Sequence, residues 1–197
     1  MATFSKTQDI SVLSLQSVSA NSVVIGEVSV STKIAATLII HFGRRSASSG
    51  TAGVRIRIET SSKASGNGHW GTIAMFETNF AAVEAEAVSG TVNSGTNVIT
   101  VASTTNLTAN DTIYIDNGTI GNSEWGRIKS IVSNTSVTIE DNLVNAQTGS
   151  TIYDTAEIFT ANLRLESMDR IRVVVDGSSF TQAFAIEAIM ETADSIG

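Results

Sequence analysis

The chain contains no cysteine and no proline. Without Cys there is no disulfide staple, no thiolate metal site and no Cys nucleophile, and the compartment stays open. Basic residues are scarce, 12 Lys and Arg against 19 Asp and Glu for a net charge of −7. That balance argues against a nucleic-acid partner, because affinity for a phosphate backbone comes from clustered Lys and Arg. No apolar run approaches the length of a membrane span; the longest candidate, IAATLII (34–40), is far too short. The opening MATFSKTQDIS carries no apolar h-region, so a secretory signal peptide is not expected. With 42% hydrophobic residues and little charge, the surface must be rich in Ser, Thr, Asn and Gly. A surface of that kind suits packing against neighbours.

What the sequence does have is alternation. VRIRIET puts Val54, Ile56 and Ile58 on one face and Arg55, Arg57 and Glu59 on the other. DRIRVVVD does the same with Ile171, Val173 and Val175 against Arg170 and Arg172. Period two describes strands with one buried and one wet face. Further strands are expected at 10–18, 22–30, 34–42, 69–78, 156–165 and 182–192. AAVEAEAV (81–88) and EAIMETADS are readable as helix or strand, and we read both as strands. Short strands between Ser, Gly and Asn turns predict an all-β fold, an antiparallel β-sandwich of jelly-roll-like type with an inserted small β-barrel.

The insertion is read from a change in composition. Residues 89–152 hold 9 of the 13 Asn and only two basic residues, Arg127 and Lys129, and their strands shorten to NVITVAS, DTIYID, EWGRIKSIV and SVTIED. Turn-forming pairs such as Asn117-Gly118 separate them. Several short strands in some sixty residues is the scale of a small barrel, and exposed loops tolerate such insertions. The expected division is 1–88 plus 156–197 as a sandwich domain, with 89–155 as the inserted barrel. Two consecutive domains is the competing division.

This stretch, GTVNSGTNVITVASTTNLTANDTIYIDNG followed by EWGRIKSIVSNTSVTIEDNLVNAQTGSTIY, resembles a small β-barrel unit that recurs in virion proteins of tailed bacteriophages. The matching elements are Ile99 to Val101, Leu107, Asp111, Ile113 with Ile115, Glu124, Ile128, Ile131, and Val137 to Ile139. The usual Gly-Asp before the second strand is Asn110-Asp111 here; Asn also tolerates positive φ, so the turn is expected to survive. RIRIETSSKASGNGHWGTIAMFET gives the flanking parts a looser likeness to phage head and tail sandwich proteins. The resemblance implies a structural role in a virion.

Motifs that could carry chemistry read differently in context. GNGHWG (66–71) fits the dinucleotide spacing G-x-G-x-x-G, but a strand follows it, and the motif needs a helix N-terminus facing pyrophosphate. We read it as a flexible hairpin turn. His41 sits in an apolar strand, and His69 adjoins Trp70, which either caps a core or anchors a partner. Glu59 or Glu77 could join the histidines on a metal, but no ligand spacing supports it. Glu84 with Glu86, and Asp111 with Asp116, are candidate carboxylate pairs that also fit solvated edges. Ser is abundant, yet there is no G-x-S-x-G elbow.

The sequence therefore predicts a non-enzymatic protein with no cofactor, no metal and no catalytic residue. Its expected place is the virion, after assembly in the host bacterial cytoplasm. The first expectation is a capsid decoration or cement protein, homo-oligomeric and bound to the major capsid protein or other virion proteins. The alternatives are a tail, neck or baseplate component, or a carbohydrate- or receptor-binding module that stacks ligands on Trp70, Trp125 or Tyr114. The candidate interaction surface comprises Arg44, Arg45, His69, Trp70 and Trp125.

Overall fold

A computed structural model describes residues 5–45, 53–67, 69–78, 84–154 and 156–194, with side chains from residue 9 onward. Every regular element among the described residues is a strand, apart from one 3-10 turn at Ile120–Asn122. Five strands come first: β1 (Ser5–Val18), β2 (Val23–Ser29), β3 (Lys33–Arg44), β4 (Arg55–Ser61) and β5 (Gly71–Glu77). Eight more follow, all but β10 short: β6 (Ala85–Ala87), β7 (Thr91–Val92), β8 (Val98–Thr100), β9 (Thr112–Asp116), β10 (Glu124–Val132), β11 (Ser136–Ile139), β12 (Gln147–Thr148) and β13 (Thr151–Tyr153). The chain closes with β14 (Glu157–Arg164), β15 (Arg170–Asp176) and β16 (Phe184–Asp194).

The five leading and three closing strands form two antiparallel sheets, β1-β16-β3-β14 and β2-β15-β4-β5. Counting only these eight in chain order, the sheets run 1-8-3-6 and 2-7-4-5. That is the double Greek key of a jelly roll. The alternating sequences cause it directly. Val54, Ile56 and Ile58, and likewise Ile171, Val173 and Val175, are fully buried between the sheets, while their Arg and Glu neighbours face outward. The ambiguous C-terminal segment is a strand: Phe184, Ile186, Ala188 and Met190 are all fully buried, and only period two can bury all four. Phe42, Phe180 and Phe184 fill one end of this core with ring centroids 5.3–6.2 Å apart.

Strands β6 to β13 build a third, six-stranded sheet with its own apolar cluster, while β7 and β12 pair apart from it. Its order is β6-β13-β9-β10-β11-β8. A bridge between Val88 and Val101, just beyond β6 and β8, draws the two edges together, so the sheet curls into a half-barrel. Ile99, Ile113, Ile115, Ile128, Val137 and Ile152 are fully buried inside it. β6 falls on the sandwich side of the boundary read from sequence, yet it pairs with β13 of this sheet. Residues 81–83 of AAVEAEAV lie outside the described residues. Asn110 has φ +76, so Asn does supply the positive φ of the turn before β9.

Polar side chains hold the connections of this region together. Gln147 is fully buried, and its Nε2 donates to Asn122 O at 2.9 Å and Glu124 Oε1 at 3.1 Å. Its Oε1 accepts from Asn117 Nδ2 at 3.1 Å and Ser150 Oγ at 2.8 Å. Glu124 also accepts the N–H groups of Val144 and Asn145 at 2.8 and 2.6 Å. A small sheet with long connections leaves many backbone groups unpaired, and short amide and hydroxyl side chains satisfy them locally.

Candidate functional site

Side chains with chemistry gather at three places: the seam between half-barrel and sandwich, the outer face of β2-β15-β4-β5, and the root of the insertion.

The seam begins with a cross-strand pair. Register places Tyr114 of β9 opposite Trp125 of β10, with ring centroids 4.8 Å apart. Both press on the end of β3, where Gly43 leaves room: a Cβ there would lie 2.8 Å from Trp125 Cζ3 and 2.8 Å from Tyr114 Cβ. Trp125 stacks on His41 at 5.3 Å with planes 21° apart, and its Nε1–H donates to Glu187 Oε2 at 2.9 Å. Burial lowers the His41 pKa. Burial also raises that of Glu187, against the opposing bond from Trp125. Arg45 then clamps Asp116 with two bonds, Nε to Oδ2 at 2.6 Å and Nη2 to Oδ1 at 3.0 Å. That planar fork is the geometry in which Arg binds carboxylate most firmly. Arg45 also donates to Ser17 Oγ, and its carbonyl accepts Tyr153 Oη at 3.2 Å. Arg44, placed by the sequence on the candidate interaction surface, is 3% exposed, with its guanidinium carbon 5.8 Å from the Phe180 ring centroid.

On the other sheet, outward residues of β2, β15 and β4 form an ion-pair lattice. Glu59 accepts from Arg172 Nε at 2.6 Å and Arg57 Nε at 3.2 Å, and Arg170 Nη1 donates to Glu27 at 2.6 Å. Burial pushes the Glu59 pKa up, but the bonds from Arg172 and Arg57 outweigh it and hold the carboxyl below its usual range. Trp70 lies on this lattice, 4.6 Å from Arg170 Cζ and 4.2 Å from Arg172 Cζ. Arg170 also donates to the carbonyls of Lys63 and Gly66 at 2.6 and 2.9 Å, tying down the turn that resembled a dinucleotide motif. His69 is exposed with φ +61. Apolar side chains flank the lattice along both edge strands: Val23 and Ile25 on β2, Ile73 and Met75 on β5, between 47% and 60% exposed.

The five residues singled out from sequence are thus not one patch. Arg45 and Trp125 meet at the seam with Arg44 buried behind them, and His69 and Trp70 lie on the opposite side of the sandwich. Asp111 and Asp116, read as a candidate carboxylate pair, are also separated. Asp116 belongs to the seam, while Asp111 joins Asp154 and Glu84 at the root of the insertion. Asp154 was missed because nothing periodic or motif-like surrounds it; it is the buried residue that follows β13. Burial, then the charge of Asp111, raises its pKa to about 7.

An open cavity of about 230 Å³ is lined by Gly53, Arg55, Glu77, Asp176, Ser178 and Ser179. Ser178 Oγ donates to Asp176 at 2.7 Å, but the lining holds no His to take a proton from the hydroxyl. Among the described residues no three His, Asp or Glu side chains are arranged to hold a metal ion, and no helix is long and apolar enough to cross a membrane.

No family model matches the chain, and no curated protein matches it. Among solved structures it is similar to VP17, a capsid protein of bacteriophage P23-77, with 12% sequence identity, 98% of this chain and 96% of that chain covered, and a TM-score of 0.18. A score of that size does not establish a shared fold.

Proposed function

We propose that the protein is a non-enzymatic structural component of a tailed-bacteriophage particle, and within that class a capsid decoration or cement protein. The observation that carries this reading is how the side chains are spent. Arg45, Arg170, Arg172, His41, Trp70 and Trp125 are engaged within the chain, whereas several large apolar side chains are left outward among the polar ones on sheet edges, barrel strands and a barrel loop. Val23, Ile25, Ile73, Met75, Val98, Val132, Val144 and Ile158 are all more than 40% exposed. Such a distribution suits adhesion, in which apolar edges pack on a lattice and symmetry multiplies weak contacts.

In this reading the eight-stranded sandwich faces the lattice, and the module built from β6 to β13 is held upon it. The partners are the major capsid protein or another virion protein, together with further copies of this chain. The resemblance of residues 89–152 to phage β-barrel units supports the same assignment. The aromatic rings already stacked on His41 or lying on Arg170 and Arg172 leave the sugar-stacking alternative without a specific observation in its favour.

The test is the copy number per particle, by quantitative mass spectrometry on virions purified from a host that produces the chain. Decoration requires a number that scales with the capsid lattice. A few copies per particle would assign the chain to neck, tail or baseplate, and absence from the particle would remove the virion reading altogether.

A further inference from the structure

The chain enters and leaves the inserted barrel through a cluster of carboxylates. Asp154 is 2% exposed. Its N–H donates to Glu84 O at 2.9 Å, which ties the exit of the insertion to its entrance. Its Oδ2 accepts the Thr108 N–H at 3.0 Å, which ties both to the turn before β9. Its Oδ1 is buried and meets no donor among the described residues.

The charged groups that act on Asp154 are Asp111 and Glu84, both acidic, and Asp111 is within hydrogen-bonding reach. The basic side chain near this turn is Arg127 of β10, and it is occupied: Nε donates to Asn110 O at 3.0 Å, and Nη1 pairs with Glu140 at 4.0 Å. On β6, Glu86 accepts from Ser103 Oγ and the Asn106 N–H. A buried carboxylate oxygen with no donor and two anionic neighbours is strongly disfavoured. Protonation resolves the conflict, because the acid has an O–H to give and Asp111 is an acceptor in reach.

We propose that Asp154 and Asp111 share one proton, and that this proton is a latch holding the root of the inserted module closed. Loss of the proton sets two adjacent anions against each other in a buried place, which outweighs the stronger bond from the Thr108 N–H to the anion and favours opening of the root.

The direction with pH is fixed. The carboxyl of Asp154 goes from its ordinary value of 3.8 to about 7 in the folded chain. The latch is therefore complete in acid and is lost as pH rises towards 7. Between those limits the opening equilibrium increases about tenfold per pH unit, and above them it levels off.

The experiment is NMR on the full chain: carboxyl ¹³C titration of Asp154, with amide hydrogen exchange at Thr108 and Asp154 corrected for intrinsic pH dependence. The latch requires a midpoint near neutrality and protection that falls about tenfold per unit from pH 5 to 7. A midpoint in the ordinary carboxylate range, or flat protection, overturns it. Asp154→Asn keeps the acceptor for Thr108 and offers an N–H to Asp111, so its protection should not vary with pH; a retained slope contradicts the proposal. Should that variant not fold, Asp111→Asn serves, and its removal of an anion must lower the Asp154 midpoint. An unchanged midpoint is a negative result. Calcium added at pH 8 must not restore protection, since restoration would make the cluster a cation site.

Discussion

Gly43 is the residue on which the seating of the half-barrel depends. Replacing it with Ala puts a methyl group 2.8 Å from Trp125 Cζ3 and 2.8 Å from Tyr114 Cβ, where ordinary carbon contacts are about 3.5–4.0 Å. One is a ring atom held by the His41 stack and the Glu187 bond, and the other is rooted in β9, so neither yields easily. Overpacking of this kind costs about 1–3 kcal/mol. Against it stands the smaller entropy of an Ala unfolded chain, worth about 0.4–1 kcal/mol. The net expectation is a loss of about 1–2 kcal/mol, or roughly 2–8 °C in melting temperature at this chain length. Calorimetry measures the loss, and Trp125 emission in a Trp70→Phe background reports whether the ring leaves its stack. Gly126→Ala is the control, because its Cβ would meet Ile113 Cγ1 at an ordinary 3.4 Å. A Gly43→Ala protein as stable as the parent, with unchanged Trp125 emission, would refute the close docking described here.

Asp116→Ala removes the carboxylate that Arg45 grips with two bonds and that also receives the Gly118 N–H; a loss of about 2 kcal/mol is expected by denaturant unfolding. Trp70→Ala strips the ring from Arg170 and Arg172 at a cost of about 1–2 kcal/mol, and trypsin should then cleave faster after the exposed Lys63. Glycan binding that disappears with that substitution would instead favour the carbohydrate-binding alternative. Glu59 titrates below its usual range, so its stabilisation is present above the ordinary carboxylate pKa and is lost as pH falls through the folded value. Glu59→Gln should therefore unfold less steeply in acid than the parent while being less stable at neutral pH, as followed by circular dichroism against pH.

The sandwich was readable because its strands are long and wet on one side. Period two over Val54–Ile58 and Ile171–Val175 fixes which face is buried, and a one-residue slip would place arginines in the core. The same rule decided Phe184–Met190, where local propensity left helix and strand open. β7, β12 and β13 were not legible: Thr91–Val92, Gln147–Thr148 and Thr151–Tyr153 are too short for any period to register, and tertiary pairing alone makes them strands. Trp125 and Arg45 could be named as contact residues, but not as contacts with each other's module, because the seam joins positions far apart in sequence. Gly43 gave no sign of its role; inside a strand a glycine marks either a bulge or a close approach, and only the rings packed on it distinguish the two. Asp154 was silent for the same reason, since its significance lies in Asp111 and Glu84, which reach it from other segments.

A cryo-EM map of the intact particle tests the central claim most directly. The account predicts density for this jelly roll repeated across the outer capsid lattice, with exposed edge strands such as β2 or β5 against the shell or neighbouring copies. A map without the chain, or a free protein whose cavity beside Asp176 and Ser178 turns over a small molecule, would contradict it.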